Sequence, residues 1–174
     1  LFSLFANPMN YPFFIAWMTL LRFFLLGISM CFYLSNKKEK IKPLYIVMFS
    51  TAYALMGYTS AHYYNYIWID SIIMLPLIIH GLEKLIDGKK PTFYIFTLAF
   101  TILINYYIGY MICIFMVIYF IYKLINIKDR MPIIKRFILS SLLAGLMGAV
   151  VIIPSYFALK TGKAVLFETV DYSG

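Results

Sequence analysis

Three features of this chain combine residue types and spacings that could do chemistry, and each lies in or beside an apolar run. Arg22 stands near the middle of the first run, residues 13–34. A charge there costs about 2.5–3.5 kcal/mol on insertion scales, so it should face a protein interior or a wet cavity and be paired with an anion or with carbonyls. A guanidinium forks onto phosphate oxygens, which makes Arg22 a candidate for a phosphate site; the alternatives are a structural ion pair or snorkelling toward one leaflet. Asp70 follows Trp68-Ile69 at the start of the third run. At the mouth of a membrane cavity it could act as a general base, a metal ligand or the partner of Arg22. It could equally be an N-terminal helix charge that the helix dipole favours.

The third feature is Asn105-Tyr106-Tyr107, inside the long apolar stretch from Thr92 to Ile125. Asparagine and tyrosine offer neutral hydrogen bonds and flat rings, which suit the hydroxyls and faces of a sugar. Such a turn also satisfies its own backbone, a purely structural role. Trp68, Asn65 and His62 fall on the same side and complete the candidate substrate-binding set. A lone loop histidine is commonly just solvated, so His62 is not read as a metal ligand. Nearer the other end of the third run, Glu83 is expected to pair with Lys84, and His80 to pack between helices. Neither has a second ligand at metal-site spacing, so no metal site is assigned. No cofactor is assigned either, and a divalent metal is left open. There is no Gly-rich phosphate loop, nucleophile elbow or His-Glu-x-x-His motif.

The elements that must position these residues are read from hydropathy. Of 174 residues, 63% are hydrophobic and 13% charged, whereas a soluble domain is nearer half apolar and a quarter charged. The natural solvent is a bilayer. A spanning helix needs about 20 apolar residues, and the pattern predicts an all-α transmembrane bundle of about six crossings. These are residues 13–34, 44–60, 69–86, 92–104, 107–124 and 137–157, in a single transmembrane domain over 1–174. Pro43 suits the first turn of the second helix, and Pro76 removes one backbone hydrogen bond from the third. The 34 residues from Thr92 to Ile125 would make one helix of about 50 Å, so two spans turning at Asn105 are expected, the first short enough to need tilt or local thinning. Gly145 and Gly148, with Ala144 and Ala149, should let the last span approach a neighbour closely.

Charge orders these spans. The loops 35–43, 84–91 and 123–136 hold 12 of the 15 lysines and arginines; the opposite face has only Lys160 and Lys163, and Arg22 lies within a span. By the positive-inside rule those three loops are cytoplasmic, which puts Asp70 and the Asn105 turn outside. The net charge of +8 hugs the ends of apolar runs, and no RNA-binding signature or basic helix face accompanies it, so nucleic acid is excluded as a partner. Cys31 and Cys113 fall near opposite leaflets, beyond the roughly 7 Å a disulfide spans, and are expected to be free, buried thiols. The chain begins at Leu1 without a signal peptide and stops in what reads as a polar loop over 158–174, as an internal piece of a longer protein would.

Taken together, several stretches resemble the bacterial YfhO-like membrane protein family: Asn7-Pro8-Met9-Asn10, Arg22 five residues before Gly27, Ala52 to Tyr58, Trp68-Ile69-Asp70, Leu75-Pro76-Leu77, Gly81 to Leu85, and Asn105 to Met111, with Pro154-Ser155 in the final span. The likeness covers nearly the whole chain. The resemblance implies a polytopic glycosyltransferase of the C-type membrane fold in the bacterial plasma membrane. Such an enzyme takes a sugar from a polyprenyl-phosphate carrier and passes it to a cell-envelope polymer of teichoic-acid type on the outer face. It further implies an acid in a first outer loop, which would precede Leu1 and leaves the main catalytic base unassigned; Asp70 is the catalytic candidate within the chain. The implied cation in the first span is Arg22, where lysine is expected to be common in relatives. Implied partners are the bilayer, the lipid-linked sugar, the polymer acceptor and other membrane proteins. Two other readings stand beside this one. A lipid or sugar transporter or flippase subunit would also use intramembrane charge and broken helices, and a non-catalytic scaffold would tolerate loss of Arg22 and Asp70.

Overall fold

The computed structural model describes residues 11–63, 65–125, 127 and 130–168. Among them are seven helices: α1 (Tyr11–Ser35), α2 (Pro43–Ala54), α3 (Gly57–Ala61), α4 (Tyr66–Ile86), α5 (Thr92–Ile104), α6 (Tyr106–Leu124) and α7 (Met131–Glu168). The expected all-helical membrane architecture is what the chain adopts. Phe13–Ser35, Tyr106–Leu124 and Met131–Ala158 are each long and apolar enough to cross a membrane. α4 has 21 residues but carries Asp70, Glu83 and Lys84. Much of the outside is oily: Trp17 is 71% exposed and Val150 75%. An apolar surface of this kind is stable against lipid rather than water.

Hydrophobic packing explains how the helices are arranged. α5, a short apolar helix, lies at the centre and packs against α4, α6 and α7. It has 13 residues, about 20 Å at the α-helical rise, and it buries Tyr94, Leu98, Ala99, Thr101 and Ile102. Those side chains interlock with Ile78 and Leu82 of α4, Ile112 and Met116 of α6, and Phe137 and Ala144 of α7. A smaller core, built from Leu26, Ala54, Ile69 and Ile73, ties α1 and α2 to α4. α4 thus belongs to both cores. Its crossing with α5 is close because residue 81 is glycine: a Cβ there would stand 2.8 Å from the Tyr94 Cα. Gly148 is pressed against the Ile102 side chain, as expected of a small residue at a helix contact, whereas a Cβ on Gly145 would meet nothing within 4 Å.

Four expectations need correction. The second run is not one helix over 44–60: α2 stops at Ala54, and α3 restarts at Gly57. Hydropathy is blind to this break, because the hydroxyl of Thr59 closes it by donating to the Ala54 and Met56 carbonyls, 2.8 Å each. The last helix is not confined to 137–157. It runs from Met131 to Glu168, since lysines and a polar stretch change what a helix faces without ending it; residues 169–174 lie outside those described. Glu83 does not pair with Lys84. Its Oε1 accepts from Tyr119 (2.7 Å) and Tyr33 (3.3 Å) and faces Lys123 at 3.1 Å, while the Lys84 ammonium stands over the Phe93 ring. Finally, Cys31 and Cys113 are free thiols but half-buried rather than buried.

The three basic segments do gather at one end of the bundle. Lys38 pairs with Asp87, Lys123 with Glu83, and Arg136 Nη1 donates to the Gly88 carbonyl at 3.2 Å. His80 packs as expected, its ring edge-on to Phe32 and Phe93.

Candidate functional site

Arg22 sits halfway along α1 and faces α4. Its Nε donates to Asp70 Oδ1 at 2.7 Å, and one Nη donates to Oδ2 at 3.3 Å. This is the two-pronged fork that a guanidinium makes with a carboxylate. The other Nη leans on the Met18 carbonyl one turn back, at 3.5 Å. The pair joins the two helices that share the smaller core, whose Leu26 and Ile69 are one turn from Arg22 and one residue from Asp70. It is neither sealed nor free in solvent: the Arg22 side chain is 19% exposed and that of Asp70 34%.

Of the three roles open to Asp70, partnership with Arg22 is the one its geometry displays. The alternative of an N-terminal helix charge loses ground for a local reason. α4 begins at Tyr66 and has no acid in its first turn, so Asp70 lies one turn inside the helix, past the N–H groups that a cap or dipole would use. The fork also means that an anion arriving at Arg22 meets a guanidinium whose geometry is already set by a carboxylate.

Asn105 is the whole turn between α5 and α6, at once the C-cap of one and the N-cap of the other. Its side-chain oxygen accepts from the Tyr107 and Ile108 amides at 3.0 and 3.2 Å, satisfying two of the donors that a helix start leaves open. That oxygen is therefore engaged by its own backbone. Tyr106 and Tyr107 fall within the first turn of α6, and they are 37% and 53% exposed.

The remaining candidates form an aromatic group beside this turn. The His62 ring stacks on Tyr58 at 4.6 Å and tilts against Trp68 at 5.6 Å. His62, Tyr58 and Trp68 are thus brought together at the end of the bundle away from the basic loops, the same end as the Asn105 turn and Tyr107. Trp68 and Asp70, two positions apart on α4, project to different faces, so the ion pair and the aromatic group flank α4 rather than share one surface. Asn65 starts α4 through its backbone carbonyl, which accepts from the Trp68 amide at 3.1 Å; no side-chain capping bond accompanies it.

Two residues escaped the sequence reading. Tyr58 stacks on His62, and Tyr53 donates to the Ile72 carbonyl at 2.8 Å. For Tyr53 a signal existed: Pro76 cannot donate to the carbonyl four residues back, and that carbonyl belongs to Ile72. Among the described residues, no three His, Cys, Asp or Glu side chains gather in a way that would hold a metal ion. The Asn7-Pro8-Met9-Asn10 motif lies outside the described residues.

Comparison with known proteins adds one finding. A sequence model of the family described as bacterial membrane protein YfhO matches residues 1–173. No curated protein and no solved structure matches the chain.

Proposed function

The chain belongs to the YfhO family of bacterial membrane proteins, and from that premise we propose that it is the membrane part of a glycosyltransferase acting on a lipid-phosphate-linked sugar. The sugar would pass from a polyprenyl-phosphate carrier to a cell-envelope polymer of teichoic-acid type at the outer face of the plasma membrane. In this reading the loops 35–43, 84–91 and 123–136 are cytoplasmic, since they carry most of the positive charge.

The observation that carries the proposal is the Arg22–Asp70 fork, an intramembrane ion pair with both side chains part-exposed. Charge is expensive at that depth, and a purely structural joint would be as well served by apolar packing. Arg22 would exchange its carboxylate partner for the carrier phosphate and stabilise the charge that grows on it as the sugar leaves. Asp70 would hold the guanidinium in register before the carrier arrives, and could then accept the proton of the acceptor hydroxyl. Across α4 from the ion pair, the rings of Tyr107 and Trp68 would give the acceptor polymer, rather than the sugar beside the phosphate, a flat surface to lie on, with Tyr106, Asn65 and His62 supplying hydrogen bonds. Asn105 would act indirectly, by fixing where Tyr106 and Tyr107 stand.

The test is sugar transfer from a polyprenyl-phosphate sugar by the full-length protein, compared with Arg22→Ala. A loss of about a hundredfold or more is expected from removing a charge stabiliser of this kind. Equal rates would discard the role of Arg22.

A second reading, a lipid or sugar flippase, is favoured by one feature: the helix breaks at Leu55–Met56 and at Asn105 are the interruptions that transport pathways use. Movement of the lipid-linked sugar across vesicles without a transferred product would select that reading.

A further inference from the structure

The basic end of the bundle holds a feature that the Arg22–Asp70 site does not use. Between the ends of α1, α4 and α6 lies a cleft of about 320 Å³. Five lysines line it against three carboxylates, Glu39, Glu83 and Asp87, an excess of two positive charges. Two of the carboxylates are neutralised within the protein, Glu83 by Lys123 and Asp87 by Lys38. The excess therefore rests on Lys37, Lys84 and Lys89, with Glu39 opposing them. At the wall of the cleft stands His80, 5% exposed, whose Nε2 has no hydrogen-bond partner.

Lysines near helix C-termini have a simpler use, since they complement the negative end of the helix dipole. That use accounts for positive charge at this end, but it needs no cleft and leaves a buried imidazole nitrogen unpaired, which is costly and uncommon. A ligand with several acceptor oxygens would answer both observations. The volume is at the lower end of what small-molecule sites occupy. The position, where polar loops leave the apolar bundle, is the level of lipid headgroups, and basic pockets between membrane helices are suited to them. Lysine ammoniums engage phosphate as point charges that adapt to its geometry.

We propose that this cleft binds a phosphate-bearing anion, held by Lys37, Lys84 and Lys89 against the wall that contains His80. The site is separate from the proposed transfer site, with Arg22 thirteen residues before the end of α1, about 20 Å away along the helix axis. The same phosphate chemistry is offered by the diester of an anionic lipid and by a free diphosphate.

The experiment titrates the full chain in detergent with dihexanoyl-phosphatidylglycerol, inorganic pyrophosphate and, as the uncharged control, dihexanoyl-phosphatidylcholine. Binding is read by the nitrogen resonance of His80, assigned by its loss in His80→Phe. The expected result is that phosphatidylglycerol or pyrophosphate moves that resonance and phosphatidylcholine does not. A response to the first alone identifies a lipid headgroup, and a response to the second alone a free phosphate. The double variant Lys84→Gln/Lys89→Gln should weaken binding at least tenfold. Lys40→Gln/Lys42→Gln removes the same charge from neighbouring positions outside the cleft and should change binding less than twofold. A His80 signal unmoved by both anions overturns the proposal, as does a Lys84/Lys89 variant that weakens binding no more than the Lys40/Lys42 variant.

Discussion

The Tyr53 hydroxyl donates to the Ile72 carbonyl at 2.8 Å, and Ile72 is the residue whose carbonyl Pro76 leaves without a helical partner. A proline inside a membrane helix is tolerated when a neighbour restores the missing bond. Here the neighbour comes from α2, so the bond both repairs α4 and fastens α2 to it.

Tyr53→Phe should therefore destabilise the protein by about 1–2 kcal/mol, the cost of leaving a buried carbonyl unpaired. Pro76→Ala returns an N–H to the same carbonyl, so the tyrosine substitution should cost much less in that background. Thermal unfolding of the two single variants and the double variant in one detergent measures the coupling. Equal costs in both backgrounds would show that the hydroxyl does something else.

The Arg22–Asp70 fork predicts a difference between stability and transfer. Removing one partner, as in Asp70→Leu or Arg22→Leu, strands the other charge and should lower stability by about 1–4 kcal/mol, less than a fully sealed pair would lose. The swap Arg22→Asp/Asp70→Arg rebuilds the attraction and should recover at least half of that loss. Transfer activity should stay abolished in the swap, because the cation then stands on the wrong helix for the phosphate. Recovery of both would reduce the pair to a structural joint.

Asn105→Ala removes the oxygen that holds the Tyr107 and Ile108 amides, and about 1 kcal/mol of stability should go with it. Asn105→Asp and Asn105→Ser keep an acceptor and should retain most of it. If acceptor binding depends on where Tyr106 and Tyr107 stand, the alanine variant should raise KM more than it lowers kcat.

Gly81→Val should be severe. A Cβ at this position meets the backbone of Tyr94 at 2.8–2.9 Å, so α4 and α5 must part, with loss of the packing between them. Gly148→Ala sets a Cβ 2.5 Å from Ile102 Cγ2 and 3.1 Å from its Cβ; a β-branched side chain in a helix has little χ1 freedom, so α7 must shift against α5, at a cost of about 1–3 kcal/mol as an overpacked contact does. The yield of monodisperse protein in detergent and its unfolding temperature rank the two.

Sidedness is testable with single cysteines in a Cys31→Ala/Cys113→Ala background. Tyr106→Cys and Asn65→Cys should react with an impermeant thiol reagent on intact cells, and Lys40→Cys only after permeabilisation. The reverse pattern would overturn the orientation and the outer-face site with it.

Much of the fold was legible because hydropathy and charge act over long windows. The bounds of α5, the turn at Asn105 and the gathering of the basic loops all follow from run length and the placement of lysines. Arg22 announced the need for a partner by its cost, and Asp70 was one of few anions within reach. What could not be read depends on single hydrogen bonds or on contacts across helices. Thr59 closes a break that looks continuous in hydropathy, and Glu83 turns from the adjacent Lys84 to Lys123 because Tyr33 and Tyr119 meet it from α1 and α6. The continuation of α7 beyond residue 157 was hidden for another reason: polar side chains mark where a helix leaves the oil, not where its backbone stops.

The one-residue link at Asn105 has a consequence for biogenesis. A segment of 13 residues is too short to hold a place in a bilayer by its own partitioning. Joined to α6 without slack and to α4 by residues 87–91, it is expected to enter together with a neighbour, as half of a helical hairpin. The helix at the centre of the finished bundle is therefore among those least able to insert alone.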